Sequence, residues 1–400
     1  MRDRQASLAE VAPSCEPFLD DLPDLDAVVC HEMTPYGWRG LTEQGEVLEV
    51  KRPATGPFYV PDSIIVACEG RPLGRRAIRN DVKVDIDDYL KHFNRAVECC
   101  QTNRLGEALI EAQITVGIVA TERAKFNRGM ILLAAGRWRE GFAQYWDCEQ
   151  KLPFKRPQVV EALARGERPW LGEDLKGRKL CLRHCHGFGD SLQMLRYVPT
   201  LQEAGAEVVL DVPTELAQLA RQLAPLGTSG DFFCPILHLL HFLPITPQTV
   251  SGEPYLRVST PPVQVEGRRR IGLAWSVGKP CDGDFPREIP LELLVKAFPG
   301  AELHSVQTQK ADEARALGVH VHEFEDFASC ARFMTLMDQV VSVDTAALHL
   351  AGAIGHPKVT GLLSYWSSWR WIAPWYDNVR LCRQSKEEDW ESALAQMQSC

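Results

Sequence analysis

At 400 residues the chain exceeds the roughly 100–200 of one domain, which predicts two or three domains and excludes a fibre, a peptide or a mini-protein. Hydrophobic residues are 45% and charged residues 24%, a mix that excludes wholesale disorder. The formal net charge of -9 argues against nucleic acid or an anionic membrane as the main partner, because those surfaces are held by clustered Lys and Arg; a small anionic ligand needs only a few local charges.

The thirteen cysteines are scattered rather than gathered into a disulfide framework, which predicts a reducing compartment. The opening stretch MRDRQASLAEVAPSCEPFLDDLPDL lacks the apolar core of a signal peptide. No stretch approaches the roughly 20 apolar residues of a membrane span, since the most apolar run, Phe233 to Ile245, carries His238, His241 and two prolines. A cytoplasmic chain without a membrane span is expected.

Residues 1–88 read as a β-rich region after an acidic tail, with Val47-Leu48-Glu49-Val50 and Ser63-Ile64-Ile65-Val66-Ala67 as strands between glycines. Residues 89–155 contain an internal repeat. Phe93-Asn94-Arg95-Ala96 recurs as Phe126-Asn127-Arg128-Gly129, and Asn103-Arg104-Leu105-Gly106 as Gly136-Arg137-Trp138-Arg139, offset by about 33 positions against the 34 of a tetratricopeptide helix pair. Ala96, Ala108, Gly129 and Gly141 fall where two antiparallel helices approach closely. The segment resembles a tetratricopeptide unit, and two such repeats are few for a free-standing solenoid.

From residue 178 strands alternate with helices. Lys179–His184 and Ala206–Val212 read as strands, Ser191–Ala204 and Thr214–Leu223 as helices, making a first lobe over 178–265. After a proline-rich stretch (Pro244, Pro247, Pro254, Pro261, Pro262) a second lobe over 266–400 shows strands at Ile271–Trp275, Glu302–Val306, Val319–His322, Gln339–Val343 and Lys358–Leu363, with helices near 311–317, 326–337 and 345–354. Strands separated by helices mean parallel sheets, so the expected class is α/β, with two Rossmann-like lobes and ligands at the carboxyl ends of the strands.

Two strand-to-helix junctions carry the chemistry. In Gly187-Phe188-Gly189-Asp190-Ser191 the glycines allow a tight turn and close backbone approach at a helix N-terminus; Asp190 is either a site carboxylate or a first-turn residue favoured by the helix dipole. In Ser342-Val343-Asp344-Thr345-Ala346-Ala347-Leu348-His349, Thr345 and His349 share a helix face beside free backbone donors. That arrangement suits a diphosphate, or equally an Asp cap and a buried histidine.

Taken with Arg196-Tyr197-Val198-Pro199, Gly272-Leu273-Ala274-Trp275, Arg287-Glu288-Ile289-Pro290-Leu291, Trp369-Arg370-Trp371, Trp375-Tyr376 and Arg383-Gln384, these junctions resemble the heptosyltransferases of glycosyltransferase family nine, in the subgroup where tetratricopeptide repeats precede a shortened GT-B unit. The resemblance spans about residues 90–398. It implies a GT-B-like pair of lobes that moves a sugar from a nucleotide-diphosphate sugar to a protein or glycan acceptor, by inverting displacement, with no metal and no cofactor beyond that co-substrate. It also implies Asp190 as general base, Thr345 and Ala346 with their backbone N–H groups on the diphosphate, Asp344 organising the loop, His349 supporting it, and Arg287 neutralising the leaving group. Gly187 and Gly189 shape the loop, and Ser276, Trp369 and Arg370 stand as further donor-side positions. The repeats would present the acceptor.

The chain departs from that pattern in three places. The first lobe is short, Lys279-Pro280-Cys281-Asp282-Gly283-Asp284 replaces an Asn- and Arg-rich stretch, and His238 and His241 stand where smaller polar residues are expected, with packing their expected role. Cys181, His184, Cys185 and His186 alternate faces of a strand and have no second cluster to complete a metal site. Trp366, Trp369, Trp371 and Trp375 are large hydrophobes first. The alternative function is a non-catalytic tetratricopeptide scaffold with a degenerate nucleotide-binding GT-B unit.

Overall fold

The structure is a computed structural model that describes seven strands between residues 28 and 85, then residues 86–149, 156–259, 267–277, 287–365 and 368–399. The acidic tail, Pro261 and Pro262, the Lys279–Asp284 stretch and Trp366 lie outside the described residues. The described residues fall into two compact units, one running to Ala135 and taking up residues 143–149, the other holding residues 136–142 and those from 156 onward.

The first unit begins with β1 (Val28–Thr34), β2 (Gly37–Thr42), β3 (Val47–Lys51), β4 (Ser63–Cys68) and β5 (Arg71–Pro72), an antiparallel sheet in the order β3-β2-β1-β4-β5. The two segments read as strands from sequence lie in β3 and β4. A hairpin of β6 (Arg76–Arg79) and β7 (Val82–Asp85) follows. Helices α1 (Ile86–Gln101), α2 (Leu105–Ile118), α3 (Glu122–Ala134) and α4 (Trp138–Glu149) come next. Small side chains let them close up: Ala96, Ala108 and Ala112 pack with Cys99 and Ile131, while Tyr89, Phe93, Val97 and Ala124 form a second cluster. The Thr121 hydroxyl starts α3 by accepting the Ala124 N–H at 3.0 Å.

In the second unit α5 (Pro157–Ala164) precedes β8 (Lys179–Arg183), α6 (Phe188–Met194), α7 (Val198–Glu203), β9 (Glu207–Asp211), α8 (Thr214–Ala220) and β10 (Phe232–Pro235), whose strands form a parallel sheet β10-β8-β9. Then β11 (Arg270–Ala274), α10 (Leu291–Ala297), β12 (Glu302–Ser305), α11 (Ala311–Ala316), α12 (Phe327–Met334), β13 (Gln339–Val343), α13 (Ala346–Ala353), β14 (Val359–Leu363), β15 (Val379–Arg383) and α14 (Trp390–Gln398) build a parallel sheet β12-β11-β13-β14-β15; a one-turn helix α9 (Leu239–Phe242) lies before them. Runs such as Val340-Val341 and Leu362-Leu363 are buried throughout, as strands covered on both faces must be. The fold is therefore α/β, a GT-B-like pair of Rossmann-like lobes.

Three elements differ from the sequence reading. Val319–His322 is not a strand; its backbone meets the sheet through a parallel bridge between His304 and His320, while Val319 packs into the core beside Leu303. The fifth strand is instead Val379–Arg383, at the sheet edge, where partly exposed residues break the apolar run that marks a buried strand. The helix read as Ser191–Ala204 is two helices joined by a 3₁₀ turn at Leu195–Tyr197, because Pro199 has no N–H to continue the ladder and sits instead in the first turn of α7. The strand Phe232–Pro235 and the helix Leu291–Ala297 were not among the elements read from the sequence, although Leu291, Leu294 and Val295 follow a helical apolar spacing.

Candidate functional site

The loop after β8 turns into α6 at Gly187, which takes extended backbone angles as its N-cap. Asp190 lies in the first turn and accepts the Gly187 N–H at 3.1 Å through Oδ2, the contact a first-turn carboxylate makes. Its other oxygen, Oδ1, accepts from Arg370 Nε at 2.6 Å and Nη2 at 2.5 Å. Burial pushes the Asp190 carboxyl up, but the Arg370 guanidinium and nearby His186 outweigh it and hold the carboxyl below its ordinary value. Asp190 is thus an ionised carboxylate shared between a helix start and an arginine 180 positions away.

The second junction runs from β13 through Asp344 to Thr345, the N-cap of α13. The Thr345 hydroxyl lies 3.1 Å from Ser342 Oγ and does not cap the helix itself. Arg287 Nη1 donates to the Asp344 carbonyl at 2.9 Å and lies 3.6 Å from its carboxylate. Arg383 ends β15, and the Asp344 charge is among those acting on its half-buried guanidinium. His349, only 2% exposed, stacks on Trp371 at 4.9 Å and shares a hydrogen bond of 3.0 Å between Nδ1 and the Tyr376 hydroxyl.

Two glycines bring these junctions together. A Cβ on Gly189 would lie 2.8 Å from His349 Cδ2 and 3.6 Å from Ala346 Cα, so the first turns of α6 and α13 meet only because residue 189 has no side chain. On α13, a Cβ on Gly352 would fall 2.4 Å from the Tyr376 ring, so that glycine admits the ring that holds His349. Asp190, Gly187, Gly189, Ala346, His349 and Arg370 therefore share one locus; Asp344 and Thr345 lie on the same strand-to-helix turn as Ala346, and Arg287, from the segment before α10, is bonded to that turn at Asp344. Helix N-termini carry positive partial charge, so this locus combines donors, cations and two carboxylates.

Ser276 and Trp369 sit differently. Ser276 is buried, with its N–H on Gln307 Oε1 at 3.0 Å and its hydroxyl accepting from Gln307 Nε2 at 2.7 Å. Trp369 packs edge-on against Trp138 and Phe142, at 6.0 and 5.1 Å, and lies under the Arg370 guanidinium at 4.6 Å. It is a core residue that orients Arg370. His238 is fully buried against Phe142, as packing predicts, while His241 faces the Arg139 carbonyl at 3.1 Å. Cys181 and His184 point to separate partners, Gly227 O and Ser191 Oγ. Gln307, which pins the Trp275 and Ser276 N–H groups, and Tyr376 in its role as His349's partner were not singled out, because each acts on residues about 30 positions away.

At the carboxyl ends of β8 and β9 lies a cavity of about 260 Å³ walled by Arg165, Arg183, His184 and Asp211. Arg183 is pinned there by Asp211 at 2.8 Å and Glu167 at 3.0 Å.

Burial pushes His349 down to about 4, so its imidazole is neutral at pH 7. A depressed folded value means that its share of stability is complete above the unfolded value near 6.5 and is lost as pH falls toward 4, amounting to about 3 kcal/mol. In His349→Phe the unfolding free energy, followed by urea titration from pH 7 to 4, is expected to fall less steeply, by up to about 1.4 kcal/mol per pH unit. An unchanged slope would show that the ring is not held neutral.

By fold and junctions, the chain is a GT-B-like α/β protein. No family model matches it. Protein FlbA of Caulobacter vibrioides is 24% identical over 331 residues, covering 68% of this chain and 54% of that protein, so the chain spans about half the length of this curated relative. Among solved structures, similarity extends to a glycosyl transferase family 9 protein from Veillonella parvula (TM-score 0.38, 9% identity, 53% of this chain and 88% of that one). It extends also to the E. coli heptosyltransferase WaaC with ADP (0.34, 14%, 55% and 96%) and to a mutant of the Thermobaculum terrenum O-GlcNAc transferase (0.29, 13%, 77% and 82%). Among the described residues no helix is long and apolar enough to cross a membrane.

Proposed function

We propose that the protein is a cytoplasmic glycosyltransferase that moves a sugar from a nucleotide-diphosphate sugar to a hydroxyl of a protein or glycan, by inverting displacement without a metal ion or other cofactor. The observation that carries this reading is the meeting of α6 and α13 at Gly189, which sets the Asp190 carboxylate beside the Asp344-Thr345-Ala346 helix start. A departing diphosphate develops negative charge, and fixed N–H donors with guanidinium groups stabilise it in the way a metal otherwise does. Arg287, together with the Thr345 hydroxyl and the first N–H groups of α13, takes that role, while Asp344 organises the loop by holding Arg287 and His349 supports it from behind.

Asp190 serves as the base. A carboxylate has about four lone-pair sites, and Gly187 and Arg370 leave room for an acceptor hydroxyl to donate. The cavity beside Arg183 and His184 offers acceptor-side volume at the carboxyl ends of the first lobe's strands. The helices of residues 86–149 act as a tetratricopeptide-like platform for a protein acceptor, and Ile110 and Ile114, exposed one turn apart on α2, suit such a role.

Thermal unfolding against a panel of nucleotide diphosphates tests the donor half. A cognate ligand at about 100 times its dissociation constant adds about 2.7 kcal/mol and raises the melting temperature, with or without EDTA. No shift with any member of the panel would return the chain to the scaffold reading.

A further inference from the structure

Beside the Asp344 turn lies a buried hydroxyl whose proton has no acceptor among the described residues. Ser276 stands two residues past Ala274 at the carboxyl end of β11, and Ala274 pairs in register with Ser342, two residues before Asp344. Neighbouring strands run about 4.8 Å apart, so Ser276 and Asp344 leave the sheet side by side. The segment that carries Arg287 to Asp344 is fastened over the same exit: the Ile289 N–H donates to the Trp275 carbonyl and the Val277 N–H to Glu288 Oε1, both at 3.1 Å.

Gln307, just past β12, fixes Ser276. Its Oε1 accepts the Trp275 N–H at 2.8 Å and the Ser276 N–H at 3.0 Å, while its Nε2 donates to the Gln309 carbonyl at 2.9 Å and to Ser276 Oγ at 2.7 Å. A side-chain amide offers two lone pairs on oxygen and two N–H groups, so each of these is taken, and two backbone N–H groups at Oε1 forbid the flipped amide. Ser305 locks the Gln307 backbone in turn, its hydroxyl donating to the Gln307 carbonyl at 2.7 Å and accepting the Gln307 N–H at 3.3 Å. Toward Gln307, then, Ser276 Oγ is an acceptor, and its own O–H has to donate elsewhere. It meets no protein acceptor among the described residues, although Ser276 is only 2% exposed. Buried donors are seldom left unpaired, which assigns the missing acceptor to a ligand.

We propose that Gln307 is a positioning residue of the donor site: by filling its own amide on the Trp275-Ser276 turn, it aims the Ser276 hydroxyl as a hydrogen-bond donor at an oxygen of the bound diphosphate. This rests on the reading of the Asp344 turn as a nucleotide-sugar site. A diphosphate oxygen carries only lone pairs and negative charge, so it suits a hydroxyl donor placed beside a guanidinium. A carboxylate at position 307 would draw the same hydroxyl inward, because it has no N–H to give. Glutamine keeps the proton free for the ligand.

Inorganic pyrophosphate, titrated calorimetrically into the full chain in the presence of EDTA, tests the assignment. The parent protein should bind it, and Ser276→Ala should weaken binding by about 10–100-fold, the usual loss for a hydrogen bond to a charged group. Ser276→Thr keeps a hydroxyl and should recover most of the affinity. Gln307→Glu retains an acceptor for the two backbone N–H groups but cannot donate to Ser276, and should cost as much as Ser276→Ala. Added to Ser276→Ala it should cost nothing more, since both act through one hydroxyl, whereas a general loosening of the turn would multiply the two losses. Undiminished binding by Ser276→Ala, no recovery in Ser276→Thr, or multiplied losses in the double variant overturns the role of Gln307 and leaves the donor site in place. Absence of pyrophosphate binding by the parent protein overturns both.

Discussion

Asp190→Asn is expected to lower kcat by about 10²–10⁴-fold, the usual contribution of a general base, with donor affinity nearly unchanged. The amide keeps the size of the carboxylate and its contact with the Gly187 N–H, and on the proposed reading the donor is held at Thr345 and Arg287. Thr345→Val and Arg287→Ala should show the opposite split, weaker donor binding with a smaller effect on turnover. The pH profile adds an independent reading. Arg370 and His186 hold the Asp190 carboxyl below its ordinary value against the effect of burial, so the proposed base stays ionised through neutral pH and the rate should fall only on the acid side of the ordinary carboxylate range. Arg370→Gln removes the opposing cation, and the acid limb of the profile should move upward in pH. Steady-state kinetics on the four variants checks both statements. If Asp190→Asn keeps near-full turnover, the carboxylate is a helix-start residue paired with an arginine, and the base is to be sought at His184 or His186, since His238 is sealed against Phe142.

Arg196→Met should destabilise the second unit by about 3 kcal/mol. Arg196 is 9% exposed and donates to three backbone carbonyls: Gln193 at 2.9 Å, Trp375 at 2.7 Å and Ser251. Its guanidinium also lies over Tyr255, Trp375 and Tyr376, at 4.9, 5.1 and 4.7 Å. Methionine keeps the apolar stem but leaves those carbonyls without a donor, at about 1–3 kcal/mol for each that stays dry, and gives up the cation–ring attraction. Relief of the buried charge returns part of that cost, which is why the net loss is set near the lower end. Arg196→Lys should fall between the two, since an ammonium keeps the charge but not the planar fork that reaches three acceptors. Denaturant titration measures it: the midpoint should drop with the slope unchanged. A midpoint within experimental error of the parent protein would mean that water replaces the guanidinium. Because Tyr376 bonds His349, Arg196→Met should, on the proposed reading, also loosen donor binding.

Much of the architecture was legible because it depends on local chain properties. The alternation of strand and helix after residue 178 follows from short apolar runs such as Val340-Val341 between helix signals, and the left-handed Gly205, with φ of +92°, ends α7 where a glycine is required. Asp190 and Thr345 were placed at helix starts by the strand-to-helix change alone, and the structure puts them there. The edge strand Val379–Arg383 was missed and Val319–His322 over-read for one reason: periodicity reports burial, and an edge position blurs it.

What the sequence determined by itself, then, is the order of elements and the positions of the two junctions, since turn chemistry, capping and apolar periodicity act over a few residues. What only the tertiary structure decided is how distant side chains spend their polar groups. Arg370 closes on Asp190, Gln307 pins Ser276, and Trp369 goes into the core. Each of these depends on which surfaces pack together across tens to hundreds of residues, where desolvation makes every buried donor and acceptor find a partner and no local pattern encodes which one.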